Sequence, residues 1–183
     1  MRIVLNVSAE AVGGPRAVAT IARGFLRGVI LHDRILIRQG LVPSLYGLFR
    51  RGKLRFQPEP WAGRFEEFAD ALTVARRGWG DCDDLVPWRC AEWQEHRGVL
   101  ALPKVYWRMR DADGRMFTDE KRWREAASIS YHTEVRLPCK CHRLNDPARF
   151  DCDDAPVEDV STFVGMARRA TREGAWADKD SAA

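Results

Sequence analysis

The spacing of apolar residues changes at Gly98 from mainly helix-like to mainly strand-like, and this change limits the folds open to the chain. Before Gly98, apolar side chains recur every three or four residues, which is the spacing of amphipathic helices. After it they alternate with polar ones, most clearly over residues 129–137, as in a strand with one buried face. Helices that precede an antiparallel sheet, rather than alternating with its strands, predict an α+β domain.

Turn residues divide these patterns into elements. Glycines at 78 and 98 follow two helical stretches, and a glycine commonly ends a helix. The spacing predicts helices over residues 17–39, 64–77, 82–96 and 167–173, and strands over 2–8, 53–57, 105–110 and 129–137. Residues 143–145 are predicted to return as a hairpin partner of the last strand.

These elements predict one domain over residues 1–166. Its first part, residues 1–45, is predicted to be an N-terminal helical extension, and the stretch between residues 46 and 60 to be extended or loop. Residues 167–183 are rich in charged and small side chains, which favours a mobile tail.

Composition excludes several classes of function. The net charge is only +4 and both signs are interspersed, so a nucleic-acid partner is not indicated. No apolar stretch reaches membrane-spanning length, and the first residues lack a signal-peptide pattern. We therefore expect a cytoplasmic protein without a membrane partner, with virion association left open. Five cysteines cannot all pair with one another, so catalytic, metal-binding or buried thiols are expected.

The strongest candidate for chemistry is Cys82, in the sequence Gly-Trp-Gly-Asp-Cys-Asp-Asp-Leu over residues 78–85. The helix predicted from residue 82 places this thiol in its first turn, where unpaired N–H groups and the helix dipole favour a thiolate. The three neighbouring aspartates oppose that effect by like charge. A protonated histidine nearby would offset them.

A cysteine hydrolase needs a base for the thiol and a group that orients the base. Of the four histidines, His132 stands in the middle of the predicted strand, on the face opposite its apolar residues, and strands hold side chains rigidly. Asp146 is expected to approach it from the return strand, with Asp159 as the rival orienting group.

The ordered trio of Gly-Asp-Cys-acid, mid-strand histidine and Asp-Pro resembles the transglutaminase-like branch of the papain-like cysteine hydrolases. It is similar to small members of that branch encoded by bacteriophages. Over residues 46–166, the resemblance implies a cysteine-bearing helix packed on an antiparallel sheet. It also implies an acyl-enzyme formed from a peptide or protein amide and resolved by water or by an amine, so that hydrolysis and acyl transfer both stay open. No cofactor is implied, and the triad would be Cys82, His132 and Asp146.

The acidic box of that family is split in this chain. Residues 146–149 match its first half, whereas Glu158 and Asp159, followed by Gly165-Met166, resemble its context. The insertion that carries Cys139, Cys141 and Cys152 is foreign to the family pattern. The sequence therefore leaves open which aspartate orients His132.

Two other functions stay open at this point. The chain could be a non-catalytic structural or assembly module on the same fold, with virion partners and a vestigial trio. It could also be a zinc-stabilised binding module, in which three thiolates and one imidazole hold the metal. The zinc donors would be Cys139, Cys141, His142 and Cys152. Cys90, inside a helix, is expected to be a buried structural thiol.

Overall fold

The computed structural model describes residues 2–58, 66–142, 146–150 and 152–162. The hairpin strand expected at 143–145 and the tail beyond residue 166 lie outside these ranges. What is described is a mixed fold of helices and antiparallel strands, as predicted.

Five helices lie in the described ranges. They are α1 (Ala9–Val12), α2 (Pro15–Arg38), α3 (Leu45–Arg50), α4 (Ala71–Arg77) and α5 (Cys82–Arg97). The predicted helices over 17–39 and 82–96 are confirmed as α2 and α5. The prediction of an extended or loop stretch from residue 46 is wrong for residues 46–50, which belong to α3. This helix begins where the Ser44 hydroxyl accepts a hydrogen bond from Gly47 N–H.

Eight strands accompany these helices. They are β1 (Arg2–Leu5), β2 (Arg55–Phe56), β3 (Glu66–Ala69), β4 (Trp79–Gly80), β5 (Leu102–Arg110), β6 (Met116–Phe117), β7 (Ser128–Arg136) and β8 (Val157–Glu158). The main sheet has the order β6-β5-β7-β8 and is antiparallel throughout. Strands β5 and β7 pair along their whole length, so the register of the sheet is fixed. The helices-then-sheet order of the sequence therefore gives an α+β architecture.

The prediction of one helix over residues 64–77 is wrong in its first half. Residues 66–69 form β3, which pairs antiparallel with β1. Asp70 then begins α4, because its carboxylate accepts a hydrogen bond from Thr73 N–H. Pairing with a strand more than sixty residues earlier outweighs the local helical spacing here.

Helix α2 packs into the body of the domain, against α5 and β5. Leu26 and Val29 on α2 are fully buried and share a cluster with Phe68 on β3 and Val105 on β5. Residues 15–38 thus help to build the core. Within the described ranges, none of the helices combines the length and apolar character that crossing a bilayer requires.

The main sheet has one apolar and one polar face. The apolar face is covered by α2 and α5: Val105 belongs to the cluster with α2, and Val135 to the cluster with α5. Because side chains alternate along a strand, Tyr106, His132 and Glu134 point to the other face. The candidate base therefore lies on the polar face of the sheet.

Candidate functional site

Cys82 is the first residue of α5, as predicted, and is half-buried. The turn before it depends on two glycines. Gly78 ends α4 in the left-handed conformation, with φ of 74°. A Cβ on Gly80 would lie 3.1 Å from a Val74 methyl carbon on α4 and 3.2 Å from a Leu85 methyl carbon on α5, so glycine allows the chain to pass close to both helices.

The aspartates around Cys82 do not all face the thiol. Asp84 is fully buried, accepts a hydrogen bond from Ala69 N–H at 2.8 Å and forms an ion pair with Arg77. Asp83 is also buried. Burial raises the pKa of both carboxyl groups well above their usual range, and the nearby Asp81 carboxylate raises them further. Asp84 thus anchors the first turn of α5 to β3 and α4.

His132 lies in the middle of β7 beside two carboxylates. Its Nε2 is 3.7 Å from Asp159 Oδ2 and 4.0 Å from Glu134 Oε1. Ser161 N–H donates to Asp159 Oδ1 at 2.9 Å, which leaves Oδ2 directed at the imidazole. This places a base and a fixed carboxylate within ion-pair distance of each other.

Tyr106, directly opposite His132 on β5, completes this group of side chains. Its ring meets the imidazole edge-on at 5.2 Å, and its hydroxyl donates to Glu134 at 2.8 Å. Burial, with the hydrogen bond to Glu134 next, raises the pKa of Tyr106 to about 12, so it stays a hydrogen-bond donor. Tyr106 and Glu134 were not among the site residues predicted from the sequence. Strand alternation could have found Glu134, which stands two residues after His132.

Asp146 lies elsewhere. Its Oδ1 accepts a hydrogen bond from Ala148 N–H at 2.8 Å and so starts the 3-10 turn Pro147–Phe150. The strand that follows β7 in the sheet is β8, which pairs with Val135 and Arg136. The carboxylate brought to His132 from that strand's end is Asp159. Asp146 has the contacts of a turn residue, in contrast to the orienting role expected from the sequence.

The middle of α5 and the imidazole lie on different sides of the main sheet. Arg89 and Trp93 of α5 both donate to Glu158, which stands opposite Val135 on the apolar face. His132 faces the polar side, because strand alternation separates it from Val135 by an odd number of residues. Sequence reasoning gave the order of these residues along the chain but could not predict this arrangement.

A second group of side chains gathers beyond the end of β7. The donor atoms of Cys139, Cys141, His142 and Cys152 all lie within 4.8 Å of one another. Burial raises the pKa of the Cys139 thiol, but hydrogen bonds from Cys141, His142 and Cys152 outweigh it and lower the pKa to about 6. We call these four residues the Cys3His cluster.

Neither protein-family models, nor curated proteins, nor solved structures give a match to this chain.

Proposed function

We propose that the chain is a cysteine hydrolase with a papain-like, transglutaminase-type core, acting on an amide bond of a peptide or protein. The observation that carries the proposal is the pair formed by His132 and Asp159 at 3.7 Å. A histidine held by a fixed carboxylate is the arrangement that activates a nucleophile in this class of enzyme.

In the proposed reaction, His132 takes the proton of the Cys82 thiol, and the thiolate attacks the amide carbonyl. The tetrahedral intermediate collapses to a thioester as His132 returns the proton to the leaving amine, and water then hydrolyses the thioester. Asp159 orients the imidazole. A backbone N–H in the first turn of α5 is placed to stabilise the oxyanion.

The positions of α5 and β7 along their axes support this pairing. Gln94 donates to the Ala101 carbonyl at 2.8 Å, and the next residue, Leu102, pairs with Arg136. The C-terminal end of α5 therefore lies at the C-terminal end of β7, and the two elements run in the same direction.

The offsets along the two elements also match. Cys82 precedes Arg89 by about 10 Å of helix, and His132 precedes Val135 by about 10 Å of strand. Arg89 donates to Glu158, and Val135 pairs with Glu158. Equal offsets from these two residues support a similar height of the thiol and the imidazole along the sheet.

The proposal carries one structural requirement. Since α5 covers the apolar face, the first turn of α5 must reach His132 past the edge of β7. Strand β8 pairs only with Val135 and Arg136, so in the described part of the chain no strand lies beside the edge from Ser128 to Glu134. In the proposed enzyme, Cys82 at the N-terminal end of α5 approaches the imidazole past that open edge.

We expect Cys82 to react with iodoacetamide well below the pH at which an ordinary thiol reacts, and substitution His132→Gln to remove this advantage. Peptide mapping by mass spectrometry separates Cys82 from the other four cysteines, and a free cysteine-containing peptide in the same reaction serves as the reference thiol. Labelling of Cys82 with the profile of an ordinary thiol, unchanged by His132→Gln, would count against the hydrolase.

The required approach can be tested separately by substitution His132→Cys. A disulfide between positions 82 and 132 forms only when the two Cα atoms come within about 7 Å. We expect it to form under mild oxidation, and Ser130→Cys, one pleat further along the same face, to form it more slowly. Absence of the bond in the first variant would contradict an approach of Cys82 to position 132.

Substitution Asp159→Asn is expected to slow acylation of Cys82 by an activated ester about 100-fold. The asparagine keeps an oxygen for Ser161 N–H, so the loop is preserved while the charge beside His132 is lost. Asp146→Asn is the matched control and should leave the rate unchanged. If Asp146→Asn lowered the acylation rate more than Asp159→Asn does, Asp146 and not Asp159 would be the residue that orients His132.

A non-catalytic assembly module is the second candidate, and one observation favours it: His132 and α5 lie on opposite faces of the sheet. In that case Cys82→Ala would leave binding to its assembly partners intact, and neither labelling nor disulfide trapping would link Cys82 to His132. Low-pH labelling of Cys82 that depends on His132, together with a disulfide between positions 82 and 132, would exclude the assembly module.

A further inference from the structure

The Cys3His cluster has the donor set of a closed metal site. Cys139 Sγ lies 2.7 Å from Cys141 Sγ and 3.1 Å from His142 Nδ1. Cys141 Sγ lies 3.2 Å from both His142 Nδ1 and Cys152 Sγ. Three sulfur atoms and one nitrogen therefore surround one point, and each is in contact with at least one other.

These separations suit a tetrahedral ion of the size of zinc. With Zn–S near 2.3 Å and Zn–N near 2.0 Å, neighbouring donors lie roughly 3.4–3.8 Å apart. The observed separations are shorter, by about 1 Å between Cys139 Sγ and Cys141 Sγ and by less for the other three pairs, so the side chains would move outward to admit the ion. Thiolate and imidazole are the ligands that zinc prefers, whereas magnesium and calcium require oxygen.

The backbone around the cluster is held in place from several sides. Cys139 N–H donates to the Arg149 carbonyl at 2.8 Å, and Cys152 N–H to the Ala148 carbonyl at 3.0 Å. The buried Arg136 guanidinium donates to the carbonyls of Phe150 and Cys152. Backbone hydrogen bonds thus fix the positions of the donor residues, in addition to the contacts among their side chains.

The location of the cluster suggests what it stabilises. It joins the chain just after β7 to the chain just before β8, within the connection 137–156. In the described part of this connection the regular structure is the short 3-10 turn Pro147–Phe150, and long connections with so little regular structure are uncommon unless something fixes them. Asp159 follows β8 directly, so a tie at this point also fixes its carboxylate relative to His132.

We propose that Cys139, Cys141, His142 and Cys152 bind one structural zinc ion that closes the connection between β7 and β8. Four protein donors leave no open position for a substrate, so the ion stabilises the fold and does not take part in the proposed hydrolysis. This zinc-site proposal does not depend on the hydrolase proposal.

The test is metal analysis of the full chain, purified under reducing conditions without added chelator. We expect one zinc per chain, and about a tenfold or greater loss of zinc affinity in Cys141→Ser, since one thiolate ligand is removed. Cys82→Ser is the control, because that half-buried thiol lies outside the cluster. It should retain one zinc.

A second test replaces zinc with cobalt in the wild-type chain, so it does not require any variant to fold. Co²⁺ should give the intense visible bands of a tetrahedral thiolate site and should be displaced by Zn²⁺. Hydrogen exchange in residues 137–156 should rise after zinc removal, while β5 stays protected.

Three results would overturn the proposal. They are a metal-free chain that gives no thiolate bands with Co²⁺, a metal-free chain with a mass lowered by a disulfide among these cysteines, and a site that holds iron instead of zinc.

Discussion

Substitution Arg77→Ala is expected to lower the free energy of unfolding by about 3 kcal/mol, because it removes the positive charge that pairs with buried Asp84 and leaves buried Glu67 with Arg2 as its ion-pair partner. Arg77 forms ion pairs with Glu67 and Asp84, both nearly inaccessible to solvent, and also donates to the Trp79 carbonyl at 2.7 Å. Urea unfolding at neutral pH measures the loss.

Arg76→Ala is the matched control for this prediction. Arg76 is the neighbouring residue on α4 and is exposed, so its removal should change stability by no more than about 0.5 kcal/mol. Equal losses in the two variants would show that the buried ion pairs contribute nothing specific.

The loss in Arg77→Ala should also depend on pH. Burial raises the pKa of Asp84, and Arg77 acts against that by favouring the charged form. Without Arg77 the pKa of Asp84 rises further, so the folded variant holds its proton to higher pH while the unfolded chain releases it. The destabilisation is therefore expected to be largest at neutral pH and to shrink as the solution becomes acidic.

The same contacts connect stability to the candidate site. Asp84 lies in the first turn of α5, and its carboxylate is shared between Ala69 N–H and Arg77. The aspartates beside Cys82, which the sequence analysis considered only as charges near a thiol, thus fix the turn on which the thiol stands. A sequence shows which residue types are adjacent, whereas the direction of each carboxylate depends on chain segments that meet only after folding.

Much of the fold could be predicted because it depends on local patterns. The three-to-four spacing of α2 and the strict alternation of β7 each report which face of an element is buried, and both elements are confirmed within one or two residues. Strand β3 could not be predicted in this way. Its pairing with β1 joins distant parts of the chain, and local spacing carries no information about such a partner.

The candidate site was predictable only in part for a related reason. Alternation correctly indicated that His132 points away from the apolar face of β7, but it did not show that α5 covers that apolar face. Asp146 and Asp159 were equally plausible in the sequence. The pairing of β8 with the end of β7 decides which carboxylate comes near the imidazole, and that pairing is a tertiary feature.

Substitution Asp33→Asn is expected to make the stability of the chain less dependent on pH. Asp33 on α2 is fully buried, and its Oδ1 accepts a hydrogen bond from Ala71 N–H at 2.8 Å, at the start of α4. Burial raises the pKa of Asp33 to about 7, although the hydrogen bond from Ala71 lowers it. The folded chain therefore keeps a proton on this carboxyl group at pH values where the unfolded chain has lost it.

The direction of the effect follows from which state holds the proton. Between about pH 4 and pH 7 the unfolded chain binds fewer protons at this site, so the stability of the wild type falls as pH rises and levels off above pH 7. Each pKa unit corresponds to about 1.4 kcal/mol, which sets the upper bound of this loss at about 4 kcal/mol. Asparagine cannot ionise and keeps an oxygen for Ala71 N–H.

The free energy of unfolding of Asp33→Asn, relative to wild type, should therefore rise by up to about 4 kcal/mol between about pH 4 and pH 8. Urea unfolding at several pH values checks this, and any pH dependence of the Cys3His cluster cancels because both proteins carry it. Asp113→Asn is the control. The Asp113 carboxylate is exposed, so the stability of this variant should show the same pH dependence as the wild type. A parallel pH profile for Asp33→Asn would mean that Asp33 is ionised in the folded chain, and hence that the contact between α2 and α4 is more polar than its burial indicates.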